Sequence, residues 1–574
     1  MYISDYRRRT QAAFLIFFVL FILALTRLFY IQFFRKTYLE GIADKQHNFF
    51  MELEPRRGTI YDTNLKPQAV NLACDSVYAA PKEISESDKE KIIRELSKIL
   101  NLDPAYIKDR LSRPKFFIWL ARKISSGQSD AIKALNLKGI GFIKESKRVY
   151  PNGYLSSQSI GFAGLDNKGQ EGLELYYDQY LKGAPGWAML LRDARSKKIN
   201  LYEKMVRPQE GASLVLTIDE VIQYIAEREL DKAYLSSHAK GASIIVMNPN
   251  TGEILALASR PTFDLNQHSS VSKDQIRNRS ICDMFEPGSV FKIITASAAL
   301  EENKFSEQDK VFCENGEYKI ANHILHDHTS HGWLTFQEVI EQSSNIGTCK
   351  VAQALGPEVI SRYVKFFGFG ARTGIDLPGE IPGQAKELRY WSKTSISAIP
   401  MGQEVGVTSL QLAGAISAIA NGGNLMKPFI VKQIIDSSGE PIKVFSPAVI
   451  RKVLSPEAAA RVRKILIGVV ENGTGKLAKI PDFTAAGKTG TAQKVEPNGT
   501  YSHSKFVASF IGFAPAEDPQ IAVVVTVDEP RGSYYGGTVS APVFKSVAAE
   551  VLKYLKTKQS SQDAVVLNVS KRAN

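Results

Sequence analysis

A serine and a lysine near the middle of the chain have the spacing of a nucleophile and its base. In "MFEPGSVFKIITASAAL", residues 284–300, Ser289 and Lys292 lie three apart, so on a helix both side chains share one face. The residues around the lysine are apolar: Val290, Phe291, Ile293 and Ile294. Lys292 is therefore either a solvated helix position or a base that takes the proton of Ser289.

The S-x-x-K spacing alone is a weak signal. It begins at five serines in this chain: Ser112, Ser237, Ser270, Ser289 and Ser502. Only Ser289 follows Pro-Gly and precedes an apolar helical run. A helix start offers free backbone N–H groups and a partial positive charge, which stabilise an oxyanion and lower the pKa of a lysine. These features favour Ser289 as nucleophile and Lys292 as base.

Two later segments have matching chemistry. "QSSNIG" contains Ser343-x-Asn345, for which a helix N-cap is the alternative interpretation. "AAGKTGTAQK" contains Lys488, and its glycines let another backbone approach a strand closely. The alternative is a surface strand weakened by glycine. S-x-x-K, S-x-N and K-T-G follow one another here in the order found in class A β-lactamases and penicillin-binding proteins.

The surrounding elements must bring these three segments together. "GASIIVMNPNTGEILALAS" predicts two strands joined by a turn at residues 248–252, and helical segments dominate from Ser289 to about residue 421. "FVASFIGFAP" and "IAVVVTVDEP" predict buried strands near the end. The order indicates an antiparallel sheet whose early and late strands pair, with a helical lobe between them.

An apolar run near the N-terminus predicts a transmembrane helix over residues 12–34. Arg7, Arg8 and Arg9 precede the run, which places residues 1–11 in the cytoplasm and the rest outside. A cleavable signal is the rival interpretation, but bulky residues follow the run instead of a small-x-small site. Arg27, inside the run, either snorkels outward or contacts a partner helix.

Length and composition indicate a multidomain protein of the α+β class. The 574 residues exceed one core, and we expect an α+β domain over 35–210, a second domain that carries the three motifs over 211–556 and a disordered polar tail over 557–574. The net charge of +13 indicates either a solvated basic surface or affinity for an anionic membrane or wall. No nucleic-acid motif is present. Cys74, Cys282, Cys313 and Cys349 form no CxxC pair, and any disulfide pairing stays open.

The chain resembles the class B penicillin-binding proteins from about residue 10 to residue 556. Beyond the three motifs, the resemblance rests on dispersed segments in the family's order: "EPRRGTIYDTNLKPQAVN", "RVYPNGYLSSQSIGFAG", "GQEGLELYYDQYLKGAPGW", "MNPNTGEILALASRPTFDLN", "NRSICDMFEPGSVFK" and "IPMGQEVGVTSLQLAGAISAIANGG". Asn64-Leu65 departs from the family's usual Asn-Gly. The resemblance implies a pedestal and a serine transpeptidase domain with a β-lactamase-like fold.

The resemblance also implies roles for the matching residues. Ser289 would attack the penultimate D-Ala carbonyl of a stem peptide, with Lys292 as base. Ser343 and Lys488 would pass a proton to the leaving amine, and Asn345 would bond the substrate amide. The remaining implied groups are the backbone N–H groups of Ser289 and Thr491 as oxyanion hole, and Thr489, Gly490 and Thr491 as substrate-binding residues. The resemblance implies no cofactor and no metal.

The implied reaction is peptidoglycan D,D-transpeptidation through a serine acyl-enzyme, with β-lactams as covalent inhibitors. The implied partners are an amine acceptor peptide, a membrane glycosyltransferase and other division proteins, at the bacterial cytoplasmic membrane with the catalytic domain outside. "GQEVGVTSLQLA" favours septal synthesis over elongation, and a sporulation-type member is an alternative. A β-lactam sensor, a β-lactamase and a non-enzymatic division scaffold are further alternatives on the same fold.

One local feature competes with this interpretation. "NHILHDHTSHGW" brings four histidines together downstream of Cys313: His323, His326, His328 and His331. Metal binding is chemically reasonable there. The segment also falls where the family has a polar loop with an Asp-x-His-like element, which is the interpretation we favour.

Overall fold

The computed structural model describes residues 2–39, 48–115, 117–192, 198–320 and 323–573. The chain divides into two compact units. The first comprises Met1–Arg56 and Gly183–Glu210, and the second comprises Arg57–Lys182 and Gly211–Asn574.

The first unit contains a long N-terminal helix and a small sheet. Tyr2–Phe29 is α-helical and continues as a π-helical turn over Tyr30–Phe34. The stretch Tyr6–Phe34 is long and apolar enough to cross a bilayer, as the sequence predicts, and suits a membrane anchor. The guanidinium of Arg27 lies 5.6 Å from the ring centre of Tyr30. The sheet is antiparallel, with strands Asn48–Leu53, Gly186–Arg192 and Lys198–Val206.

Residues 57–182 of the second unit are built from four strands and several helices. The strands are Ile60–Tyr61, Pro67–Ala79, Ile118–Ile124 and Ile140–Val149. The helices are Glu86–Leu100, Pro104–Ser112, Ser126–Ala134, Ser157–Ile160, Gly172–Tyr176 and Asp178–Leu181. A buried ion network joins three sequence-distant segments, because Glu174 accepts hydrogen bonds of 2.6 Å from both Arg57 and Arg148. Unpaired, these charges would be costly to bury, so the network holds the segments together.

The part of the second unit that follows Gly211 is centred on a five-stranded antiparallel sheet. Its strands are β1 (Gly241–Met247), β2 (Ile254–Arg260), β3 (Ala486–Val495), β4 (Tyr501–Ala514) and β5 (Ile521–Asp528). The spatial order is β2-β1-β5-β4-β3, with Met247 of β1 opposite Ala522 of β5. The predicted pairing of early with late strands is therefore confirmed.

Helices cover both faces of this sheet. The long ones are α1 (Glu220–Ser236), α2 (Lys292–Glu301), α3 (Asn345–Leu355), α4 (Ser409–Ala420), α5 (Pro456–Glu471) and α6 (Ala541–Ala573). Ile244 and Val246 of β1 pack with α1 and α6, whereas Ile245 and Met247 pack with α2, α4 and α5. This split follows from the alternation of side chains along a strand. Helix α6 runs to Ala573, where the composition predicts a disordered tail.

Shorter elements complete the described part of the catalytic region. The strands are Ser213–Leu216, Lys310–Phe312, Glu317–Ile320, His323–His326, Trp333–Thr335, Gln384–Ala385, Val405–Gly406, Asn424–Met426, Val431–Ile435, Pro441–Val444 and Val449–Lys452. The helices are Lys273–Ile276, Arg279–Cys282, Phe336–Glu341, Pro357–Phe366, Ser395–Ala398 and Gly536–Val539. The 3-10 turns are Leu265–Ser270, Gly288–Phe291, Glu314–Gly316, Leu388–Tyr390, Ile399–Met401 and Lys476–Ala478.

Candidate active site

Lys292 is the first residue of α2 and is completely buried. Its Nζ donates to the carbonyl oxygen of Ser343 at 2.5 Å and to Oδ1 of Asn345 at 2.8 Å. The same Nζ lies 3.2 Å from Oγ of Ser343. A solvated helix position is therefore the wrong interpretation of Lys292, and the S-x-x-K and S-x-N motifs meet through its side chain.

The S-x-N segment forms the entrance to α3. Ser344 is the N-cap, because its Oγ accepts the backbone N–H of Gly347 at 2.9 Å. The helix-cap interpretation thus holds for Ser344. Ser343, one residue earlier, has φ +60°, a backbone conformation that non-glycine residues seldom adopt. This turn directs both its carbonyl oxygen and its hydroxyl to Lys292.

Lys488 reaches the same serine from strand β3. It is also completely buried, and its Nζ donates to Oγ of Ser343 at 2.9 Å and to the carbonyl oxygen of Thr489 at 3.3 Å. The hydroxyl of Ser343 therefore lies between the amino groups of two lysines. Three segments that are far apart in sequence supply this arrangement.

Burial changes the acidity of both lysines. It lowers the pKa of Lys292 to about 7, and the negative charge of Asp327 opposes the shift. Burial and the nearby charge of Lys292 lower the pKa of Lys488 well below its usual 10.5. Two ammonium groups beside one hydroxyl repel each other, so the site favours a neutral amine on one of them. Lys292 is thus suited to accept a proton near neutral pH.

Ser289 lies in the 3-10 turn Gly288–Phe291 that leads into α2, and it is partly exposed. Gly288 has φ +57°, and a Cβ there would lie 2.9 Å from the carbonyl oxygen of Thr491. A Cβ on Gly490 would lie 2.8 Å from Cγ1 of Val290. Glycine on both sides of the contact therefore lets the turn that carries Ser289 approach strand β3 closely at Thr491.

The predicted substrate-binding residues lie on an edge strand. Among the described strands, β3 pairs only with β4. The hydroxyl of Thr489 lies 2.7 Å from that of Thr474, and Oγ1 of Thr491 accepts the backbone N–H of Gly536 at 3.0 Å. Lys488, Thr489 and Gly490 are buried, which excludes the alternative of a surface strand.

Family models match two parts of the chain. Residues 242–549 match the penicillin binding protein transpeptidase domain, and residues 52–216 match the penicillin-binding protein dimerisation domain. The chain is a class B penicillin-binding protein. The transpeptidase match spans more than half of the sequence and includes every residue of the site above, so the penicillin-binding protein is a transpeptidase.

Relatives match the penicillin-binding protein over nearly its full length. Stage V sporulation protein D of Bacillus subtilis is 37% identical over 569 residues, which cover 97% of this chain and 88% of the relative. The peptidoglycan D,D-transpeptidase FtsI of Escherichia coli K12 is 33% identical, with coverage of 88% and 84%. A crystal structure of penicillin binding protein 3 from Mycobacterium tuberculosis, complexed with aztreonam, has a TM-score of 0.69 at 27% identity, with coverage of 88% and 97%. These matches also identify the fold.

Asp327 is a residue of this penicillin-binding protein's site that the sequence motifs do not identify. Its Oδ1 accepts the backbone N–H groups of Asn345 and Ile346, and its Oδ2 accepts the hydroxyl of Ser344 at 2.6 Å. A carboxylate at this helix N-terminus is stabilised by the free N–H groups there. Asp327 therefore holds the S-x-N turn in place while its charge acts on Lys292.

Asp327, which holds the S-x-N turn, belongs to the histidine-rich segment. Within the described residues, no group of three or more His, Cys, Asp and Glu side chains is arranged to hold a metal ion. The side chain of His323 lies outside the described residues. The sequence signal for this segment is its Asp-x-His-like element, in which the aspartate contacts the S-x-N motif through its side chain and His326 contacts it through its backbone carbonyl oxygen.

Asp327→Asn is expected to slow acylation by penicillin about tenfold, since one charge-assisted hydrogen bond is lost. The charge of Asp327 raises the pKa of Lys292, so the acidic limb of the rate profile should move to lower pH. The acylation rate constant of the purified protein, followed with a fluorescent penicillin against pH, measures both effects. Asp309→Asn is the matched control, because Asp309 also accepts local hydrogen bonds but lies outside the site. A limb that stays in place or moves to higher pH would contradict this electrostatic role.

Proposed function

We propose that this penicillin-binding protein cross-links peptidoglycan stem peptides through an acyl-enzyme on Ser289. The hydroxyl attacks the penultimate D-Ala carbonyl, the terminal D-Ala leaves, and an amine of a second stem peptide then displaces the serine. The observation that carries the proposal is the hydroxyl of Ser343 held between two buried lysine amino groups, beside the turn of Ser289. The same attack on a β-lactam ring would leave a covalent adduct.

Lys292 is the proposed base for acylation. A neutral amine has two N–H donors and one lone pair. The two closest acceptors, the carbonyl oxygen of Ser343 and Oδ1 of Asn345, match the two donors. The lone pair is then available for a serine proton, and a pKa of about 7 suits a base at neutral pH.

Ser343 and Lys488 are proposed to return the proton to the leaving amine. The contacts of 3.2 Å and 2.9 Å from Oγ of Ser343 to the two Nζ atoms form a continuous hydrogen-bonded path. The low pKa of Lys488 lets it give up a proton readily. Asn345, whose Nδ2 donates to the carbonyl oxygen of His326, is proposed to bond the substrate amide once the stem peptide is bound.

Strand β3 is proposed to bind the stem peptide as an added strand. Its unpaired edge presents backbone groups to an extended peptide, a common mode of peptide recognition. The contact between Gly288 and Thr491 supports an oxyanion hole formed by the backbone N–H groups of Ser289 and Thr491. One such donor typically contributes about 10²–10³ in rate. Thr489, Gly490 and Thr491 are the proposed substrate-binding residues.

We further propose that the catalytic part lies outside the cytoplasmic membrane, anchored by the N-terminal helix with residues 1–11 inside. The arginines before the apolar stretch support this orientation. The proposed divisions are a cytoplasmic tail (1–11), a transmembrane helix (12–34), a pedestal (35–210), a transpeptidase domain (211–556) and a tail (557–574). The proposed partners are a membrane glycosyltransferase and other division proteins.

Septal synthesis is the first candidate role, because FtsI of E. coli and this chain align over most of their lengths. A sporulation role is the second candidate, because a sporulation protein is the more similar of the two relatives described. Both roles use the same reaction. Depletion during vegetative division and during spore formation separates them, since a septal enzyme is needed in the first and a sporulation enzyme only in the second.

Mapping of a penicillin adduct tests the proposed nucleophile. Trypsin cuts after Arg279 and Lys292, so Ser289 falls in a peptide spanning residues 280–292. We expect benzylpenicillin to add its mass to that peptide and to no other. The same protein should exchange the terminal D-Ala of a stem pentapeptide for free D-alanine, and the absence of both reactions in folded protein would refute the proposal.

A further inference from the structure

The turn that carries Ser289 is attached to a segment that the mechanism does not use. Backbone hydrogen bonds join Phe285 and Val407 in both directions, at 3.1 and 2.9 Å, and the N–H of Gly288 donates to the carbonyl oxygen of Gly402 at 3.2 Å. A Cβ on Gly402 would lie 2.3 Å from the carbonyl oxygen of Gly288. The nucleophile turn therefore lies in close backbone contact with residues 402–407.

Glu286 lies in the middle of this attachment, three residues before the nucleophile. Its Oε1 accepts the backbone N–H of Glu404 at 2.8 Å. The hydroxyl of Tyr501, the first residue of β4, lies beside the same carboxyl group and favours its ionised form. Tyr501 belongs to the hairpin that β3 and β4 form. Glu286 is therefore hydrogen-bonded to residues 402–407 and faces the β3–β4 hairpin.

The surroundings make the charge of Glu286 sensitive to pH. Partial burial and the nearby charge of Glu404 raise the pKa of Glu286, whereas the backbone N–H of Glu404, the hydroxyl of Tyr501 and the charge of Lys386 oppose the shift. Glu404 itself is paired with Lys386 at 2.9 Å and accepts the hydroxyl of Ser395 at 2.8 Å. Among the described residues, the charged and titratable groups facing Glu286 are therefore Glu404, Lys386 and Tyr501. Protonation would weaken the bond that Glu286 accepts from Glu404, because hydrogen bonds to a carboxylate are roughly twice as strong as those to a neutral acceptor.

We propose that ionised Glu286 is a positioning residue for Ser289, which it serves by tying the nucleophile turn to residues 402–407 beside the β3–β4 hairpin. The inference rests on the proposed role of Ser289 as the acylated nucleophile. Glu286 touches neither the substrate nor the reacting atoms. It acts through the placement of the turn, where a shift of about 1 Å costs on the order of 10²-fold in rate.

The test is the pH dependence of acylation by a fluorescent penicillin, measured on the full chain in detergent. In the wild type, Lys292 must be deprotonated and protonation of Glu286 should lower the rate constant further, so the logarithm of the rate constant should fall with a slope steeper than one while Glu286 titrates. In Glu286→Gln the slope should stay at one throughout the acidic limb. The plateau at higher pH should also fall about 10-fold to 100-fold, since a charged hydrogen-bond acceptor is replaced by a neutral one.

Tyr501→Phe supplies an independent readout. The hydroxyl of Tyr501 lowers the pKa of Glu286, so its removal should move the lower break of the profile to higher pH. A residue with a merely structural role would change the plateau without moving this break. Glu387→Gln and Tyr390→Phe are the matched controls, because both side chains are exposed and lie near the same segment. Both controls should reproduce the wild-type profile.

Distinct outcomes separate this inference from the function on which it rests. If folded wild-type protein takes no label, the proposed function fails. If the wild type is labelled but Glu286→Gln keeps the region steeper than one, or Tyr501→Phe leaves the break unmoved, the positioning role is refuted. The thermal unfolding midpoint of each variant shows whether it is folded. If Glu286→Gln is misfolded, the pH profile of Tyr501→Phe, which removes a single hydroxyl, decides whether Glu286 has the positioning role.

Discussion

Ser289→Ala is expected to abolish covalent labelling by a fluorescent penicillin, while Ser270→Ala leaves it unchanged. Alanine removes the only oxygen of that side chain that could form the acyl bond, and no partial activity should remain. Both serines begin an S-x-x-K spacing. The two variants therefore test whether labelling depends on the place of the serine in the fold and not on the spacing alone. Ser270 is exposed and ends a 3-10 turn, whereas Ser289 lies in a turn packed on the edge strand β3.

The measurement is labelling followed by denaturing gel electrophoresis, with the unfolding midpoint of each variant as the folding control. Alanine fits the backbone of Ser289, which lies in an ordinary helical turn, so the variant should fold. Residual labelling of Ser289→Ala at the wild-type rate would show that another nucleophile reacts. Loss of label in Ser270→Ala with an unchanged midpoint would also contradict the assignment.

Lys292→Gln is expected to reduce the acylation rate constant by about 10²–10⁴-fold, the usual contribution of a general base. Glutamine still offers N–H donors to the carbonyl oxygen of Ser343, so the local structure should survive. It has no basic nitrogen, so it cannot take the serine proton. Lys273→Gln is the matched control, because Lys273 stands in the same relation to Ser270 and is exposed.

The direction of the pH dependence follows from the pKa of Lys292. Because burial lowers the pKa of Lys292 to about 7, the neutral amine predominates above that pH and the ammonium below it. Wild-type acylation should therefore be greatest above neutrality and fall about tenfold for each pH unit below the pKa of Lys292, down to the pH at which Glu286 is also protonated. The limb that Lys292 governs should vanish in Lys292→Gln. A limb near neutrality that persists in this variant would assign the base to another group, of which Lys488 is the nearest.

The motifs and apolar patterns of the sequence predicted the fold class, which is confirmed, and the residues of the candidate site. Short continuous apolar runs predicted the buried strands of the sheet, and apolar residues at helical spacing predicted helices. Gly487 and Gly490 indicated a close backbone approach to their strand, since glycine leaves room for it. The order of S-x-x-K, S-x-N and K-T-G indicated that the three segments meet.

The burial, pKa values and contacts of the site residues depend on the tertiary structure. Lys292 follows an apolar turn in which a solvated lysine is equally compatible with the sequence. Its burial, and hence its pKa, depends on α3 and β3 lying against α2. The Asp-x-His-like element predicted a polar loop around Asp327 but not its contacts, because short-range patterns do not show which side chain reaches a distant helix end. Glu286 was hidden for the same reason, since its partners Glu404 and Tyr501 are more than a hundred residues away.

The polar tail is a further case in which the sequence alone does not predict the observed structure. Its composition predicts disorder, yet the helix that begins at Ala541 continues to Ala573. Near the start of the tail, Lys558 donates to Asp219 at 3.1 Å, a contact that tethers α6 to the start of α1. Local composition reports how much apolar surface a segment can bury alone. Burial, charge pairing and pKa depend on neighbours that only the folded chain supplies, and these neighbours determine the chemistry of the site.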